Sequence, residues 1–126
     1  MAHVFPWTAT KALARTLTDA LPEAHVTTEA ETATPAVLAG QVAVILSAPR
    51  LVADLPTMAY VWRAAVVGAP VADLDAAGLA LDAALSAIAG APDVELGDAE
   101  PITWSGAQTS QAPAYLFNLT VRYPLS

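Results

Sequence analysis

His3 and His25 are the only imidazoles in this chain, and imidazole is the side chain most easily turned to proton transfer or metal ligation near neutral pH. A zinc or non-haem iron site needs several such donors at short helical or hairpin spacings, completed by thiolates or carboxylates. A helical pattern separates these two histidines and the chain has no cysteine. Neither is therefore assigned as a ligand or a base, and thiolate sites, disulfides and a cysteine nucleophile are excluded together. Two closely spaced acidic pairs, Asp73 with Asp75 and Glu29 with Glu31, could in principle divide acid and base roles. Helix capping explains the first pair and a solvated loop the second. No serine sits in a Gly-x-Ser-x-Gly elbow, no glycine-rich turn is placed to cradle phosphate, and Ser105-Gly106 is only a turn signal. The residues thus nominate no catalytic group, no metal ligand and no cofactor, and the protein is not expected to be an enzyme.

Contact chemistry is what remains. Tyr60, Trp62, Tyr115 and Phe117 fall where a core needs bulk, with a ligand pocket as their other use. Trp7 and Trp104 stand in polar or loop settings where an interface suits an indole as well as a core does. Arg50 and Arg63 are rare cations in a chain with 12 acidic and 5 basic residues and a net charge of −7. That balance disfavours specific nucleic-acid binding, since phosphates would be repelled. Apolar residues make up 56% of the chain and charged ones 13%, more apolar surface than one small core absorbs, which points to contacts with other chains. The apolar run Val42 to Ala48 is too short to span a bilayer. No secretory signal pattern opens the sequence, so a soluble protein without a membrane partner is expected.

The elements that must position these residues follow from periodicity. Leu13, Leu17 and Leu21 recur every fourth position, giving a helix from Thr8, its expected cap, to Leu21, where Pro22 forbids continuation. Ala24 to Thr28 reads as a short strand, Glu29 to Pro35 as a polar connection, and the β-branched run Gln41 to Ser47 as the heart of a sheet. Ala48 to Pro56, bounded by prolines, reads as a loop or a single helical turn. Thr57 to Val67 alternates, with Met58, Tyr60, Trp62, Ala64 and Val66 on one face and Arg63 on the other. A second helix follows, capped by Asp73, with Leu74, Leu81, Leu85 and Ile88 along one side and Gly90 as its stop. Val94 to Leu96 and Ile102 to Trp104 fit two short strands of an extended hairpin arm, on which Trp104 is hard to bury within the domain. The closing strand, Ala114 to Tyr123, places Tyr115, Phe117, Leu119, Val121 and Tyr123 on one face. Together these predict a single domain over residues 1–126 of α+β class: a mixed, mostly antiparallel β-sheet with two α-helices packed on it and an extended hairpin arm.

In order and spacing, the helix containing LARTLTDALPEA, the strands QVAVILSAP and MAYVWRAAVVGAP, the helix LDAALSAIAGAP and the closing strand PAYLFNLTVRY resemble the tail terminator proteins of long-tailed bacteriophages, over most of the chain. The resemblance implies a structural virion protein, made in the host cytoplasm and located at the head-proximal end of the tail. It would form a six-fold homo-oligomeric ring on the last ring of the tail tube protein, end tube polymerisation, meet the head-tail connector protein, and let DNA pass without specific binding. The family shares its fold more than its side chains, so Trp7, Arg50, Arg63 and Trp104 are candidate subunit or partner contacts only, Arg50 being expected to pair with a carboxylate of an adjacent chain. Another neck component, a head completion or connector protein, is the nearest alternative. A small-ligand-binding α+β module with a pocket built from Tyr60, Trp62 and Phe117 is the more distant one.

Overall fold

The computed structural model describes residues 6–68, 74–104 and 112–124. Its spine is an antiparallel pair: β4 (Thr57–Val67) and β7 (Ala112–Pro124) run together from Thr57 opposite Pro124 to Val67 opposite Ala114. Both alternate over their length, and a period of two buries one side of each strand continuously. The remaining strands decorate this pair. On the free side of β4, β2 (Ala43–Leu46) and β3 (Arg50–Asp54) lie end to end, both antiparallel to it. The parallel strand β1 (His25–Thr27) lies outside β2. On the free side of β7, β5 (Glu95–Leu96) and β6 (Glu100–Trp104) also lie end to end. The described residues thus form an α+β fold with a mixed, mostly antiparallel seven-stranded sheet and three helices.

Two helices, α1 (Pro6–Ala20) and α3 (Leu74–Ala89), cover one face of the sheet. Ala9, Leu13 and Leu17 of α1 and Leu81, Ala84 and Ile88 of α3 close on Val44, Leu46, Trp62, Val66, Phe117 and Leu119 of the strands. Trp62 lies at the centre, fully buried, and its Nε1–H donates to Thr10 Oγ1 at 2.9 Å. Thr10 in turn donates to the Pro6 carbonyl at 2.8 Å, so the one polar group of the large indole is satisfied inside the core. The helix begins at Pro6, two residues before the expected Thr8 cap, which is consistent with proline's fit to a first helical turn. The expected Asp73 cap of α3 lies outside the described residues.

Four sequence expectations give way to long-range pairing. The polar connection Glu29 to Pro35 is instead the start of a third helix, α2 (Ala30–Leu38), which covers part of the second sheet face. Its apolar stripe is only Ala33 and Val37, packed on Ala43, Val67, Ala112 and Ala114, too short a repeat to stand out among polar neighbours. A hydroxyl relay opens it: Glu29 N–H donates to Thr27 Oγ1 at 3.0 Å and Thr32 Oγ1 donates to the Glu29 carbonyl at 2.9 Å. The heart of the sheet is β4 rather than the run at Gln41 to Ser47. β2 has four residues and pairs with β1 and β4, whereas β4 has eleven and holds β2 and β3 on one side and the whole length of β7 on the other. Ala48 to Pro56 is no loop but mostly β3, turned back into β4 at Leu55-Pro56. Among the described residues the two short strands of the expected hairpin arm do not pair with each other: β5 and β6 each use β7 as template.

A bulge joins β2 to β3. Leu46 faces Ala64 and Arg50 faces Val61, so four steps on one strand match three on the other. Ser47 fills the mismatch: its N–H donates to the Arg63 carbonyl at 2.9 Å and its Oγ accepts from Arg63 N–H at 3.1 Å. One extra residue reverses the facing of everything after it. Leu46 points into the helix-covered core, while Arg50, Val52 and Asp54 share the second face with Val61 and Ala59.

At the far end of the spine the Tyr123 ring meets Tyr60 edge-on, centroids 5.1 Å apart at 70°. Burial, and then the neighbouring Tyr60, push the Tyr123 phenol above its ordinary value. A phenol whose folded-state pKa is raised contributes stability that is present below the unfolded tyrosine value, about 10, and is lost as pH rises through the folded value. The urea midpoint is therefore expected to fall above pH ~10, and to fall less in Tyr123→Phe. An identical alkaline decline in both proteins would remove Tyr123 as its source.

Candidate interaction surface

The second sheet face is covered at one end only. Beneath α2 it is dry and built from small side chains; beyond α2 it is open, and its exposed residues include Arg50, Val52, Asp54, Arg63, Glu95, Asn118 and Arg122. Register sets these residues in rows. Arg50, Val61, Thr120 and Glu95 form one line across four strands, Val52, Ala59 and Arg122 a second, and Arg63 with Asn118 a third.

Charge on this face is unevenly matched. The Arg122 guanidinium donates through Nε to Glu95 Oε2 at 2.8 Å and through Nη1 to Asp54 Oδ2, bridging β5 to β3 across the spine. The hydrogen bond to Glu95 first, and then that to Asp54, raise its pKa further. All three groups are well exposed, so the network orders the surface more than it stabilises the fold. Arg50 and Arg63 flank a depression of about 290 Å³ with Ser47, Val61 and Asn118, and neither makes an ion pair with a described residue.

Trp7 reaches the same corner from the other side. It is 59% exposed, with Lys11 Nζ 5.6 Å from its ring centroid. Together with Ser47, Ala48 and Pro49 it lines a depression of about 490 Å³. The bulge is thus a wall shared by two hollows, one bordered by the indole and one by the two arginines. Next to it runs β3, exposed at every residue, whose outer side meets no strand among the described residues. Leu51, Val52 and Leu55 are 43, 39 and 79% exposed, so rare cations and apolar area adjoin.

Three of the four candidate contact residues, Trp7, Arg50 and Arg63, are brought together here although they lie far apart in sequence. Trp104 is not among them. It pairs with Ala112 at the opposite edge and is half-buried against the cluster beneath α2, although an indole on such an arm is expected to be hard to bury within the domain. Ala33, Ala112 and Ala114 are too small to fill that space themselves, which leaves room for the indole. Sequence reasoning does not reach the Asp54–Arg122–Glu95 bridge, because the expectation of a loop or a single helical turn at Ala48 to Pro56 gives Asp54 no strand register beside Arg122. The one available signal was that Arg122 shares its face of β7 with Asn118 and Thr120.

Groups that would serve other chemistry are used structurally. His25 Nε2 lies 3.1 Å from Thr32 Oγ1 and ties β1 to α2; His3 is outside the described residues. Tyr60, Trp62 and Phe117 are 6, 0 and 2% exposed, packed inside the core rather than around a pocket. A hollow of about 520 Å³ between α1 and α3 is walled chiefly by alanines such as Ala20, Ala80 and Ala87, with no convergent polar groups to orient a ligand. No group of three or more histidine, cysteine or carboxylate side chains gathers among the described residues. Among the same residues no helix is long and apolar enough to cross a membrane. Compared with known protein families and with curated proteins, the chain matches none.

Proposed function

We propose that the protein is a structural ring subunit of a bacteriophage tail, a tail terminator that caps the tail tube, ends its polymerisation and joins it to the head-proximal connector. The observation that carries this reading is the half-open sheet face: two arginines without an ion partner among the described residues and an exposed edge strand occupy one corner of a chain of net charge −7. A free-standing subunit gains nothing from such a corner, whereas a contact between chains covers the apolar part and pairs the charges. Ring closure requires unlike surfaces on one subunit, and the sheet presents different groups at its two edges. The acidic excess suits a ring through which DNA slides, because a negative lumen does not hold phosphates.

The test is the mass of the purified protein alone and with tail tube protein. A closed ring that forms on the tube and blocks its further growth is the expected result. A monomer indifferent to the tube, or one that binds connector protein only, overturns the assignment.

A further inference from the structure

We infer that, within the ring proposed above, the Arg50–Arg63 corner of one subunit seats against the opposite sheet edge of the next copy, at Asp98 and Glu100. The two surfaces lie at opposite margins of the same sheet: Arg50 is on β3, and Asp98 and Glu100 are on the β5–β6 side of β7. Arg50 on β3 lies three strand spacings from that edge, about 14 Å, and Arg63 on β4 two, about 10 Å, and neither is ion-paired with these carboxylates within the subunit. Arg122 already holds Asp54 and Glu95, while Asp98 and Glu100 are exposed and make no ion pair with a described residue. The arginines without an ion partner among the described residues therefore lie on β3 and β4, and these two carboxylates at the β5–β6 margin.

Such an arrangement selects a head-to-tail contact. A two-fold contact centred on the arginine corner would set four guanidiniums together, and Asp54, on the same strand as Arg50, is already taken by Arg122. A head-to-tail contact pairs every charge and leaves one corner and one edge free for the next copy, the condition for a ring. Val52, exposed on the same face two residues from Arg50, and Leu51 on the other side of the same edge strand supply apolar area that excludes water around the paired charges. Because the occupant is a second copy of this chain, the inference rests on the ring reading but not on the identity of the tail tube.

The experiment uses two charge-reversed full-length proteins, R50E/R63E and D98K/E100K, with self-association measured by sedimentation across concentration and without tail tube protein. All four positions are exposed, and circular dichroism checks that both variants fold. Each variant alone should associate at least about tenfold more weakly than the parent, since like charges then face each other at every junction. Mixed in equal amounts, the two should recover association to within about threefold of the parent, because every mixed junction again pairs opposite charges. Undiminished association of D98K/E100K would overturn the inference and leave a two-fold contact through β3. A parent that stays monomeric at all concentrations, or a mixture that remains dissociated, would overturn it as well. A parent that self-associates as expected but ignores tube protein would sink the tail assignment and leave this contact standing.

Discussion

Val66→Asp is expected to abolish folding, while Val61→Asp, five positions earlier on the same strand, is expected to leave the domain folded. Val66 is fully buried, set between Val44 and Tyr115 beneath the two helices. A carboxylate there has no cation to meet, and an unpaired buried charge costs several kcal/mol against a total stability of about 5–15. Val61 faces the open side, opposite Arg50 and two residues from Arg63. A carboxylate there is solvated and flanked by two guanidiniums, so its effect on stability should stay under about 1 kcal/mol. It should also neutralise the cationic corner and so weaken self-association. Far-ultraviolet circular dichroism and urea titration decide the first claim and sedimentation the second. An unfolded Val61→Asp would mean that the second face is covered where we describe it as open.

Trp62→Ala is expected to cost about 3–5 kcal/mol, the range for deleting a large buried aromatic side chain. The indole touches both layers: it is fully buried among the strand side chains and bonded to Thr10 of α1. Trp62→Phe keeps most of the ring and loses only the N–H. Thr10 keeps its bond to Pro6, so that variant should cost about 1–2 kcal/mol, part cavity and part hydrogen bond. Thr10→Val does the opposite and strands a buried donor, at about 1–3 kcal/mol. The double variant Thr10→Val/Trp62→Phe should be more stable than the sum of the two single losses predicts, because the orphaned donor is then removed too. Urea midpoints at constant slope measure all four. A loss below about 1 kcal/mol for Trp62→Ala would show that the core is not organised around this residue. The bond matters to the surface as well: it holds the first turn of α1, which carries Trp7 to the edge of the bulge.

Much of this fold could be read one segment at a time. The range Thr57 to Val67 coincides with β4, and the alternate residues assigned to one face, Tyr60, Trp62, Ala64 and Val66, are all buried there. The face of the closing strand carrying Phe117 and Leu119 was legible for the same reason, as were the stripes Leu13–Leu17 and Leu81–Ile88. Each pattern depends only on a side chain and its near neighbours in the chain, with a period of two or of 3.6. The class of the fold follows from a count of such segments.

The candidate surface had no local signature. Arg50 and Arg63 stood out by composition, but only the one-residue bulge at Ser47 turns Arg50 onto the face that Arg63 occupies, and a bulge exists only relative to a partner strand. Trp7 joins them because α1 packs across the sheet, and Trp104 leaves them because the alanines beneath α2 admit its ring. The sequence by itself determined the two long alternating strands β4 and β7, the helical stripes of α1 and α3 and the acidic balance, since these are properties of residues and their immediate spacing. Tertiary structure alone decided which half of the second face stays open and which charges remain unmatched, because coverage and pairing depend on contacts between segments that local periodicity does not encode.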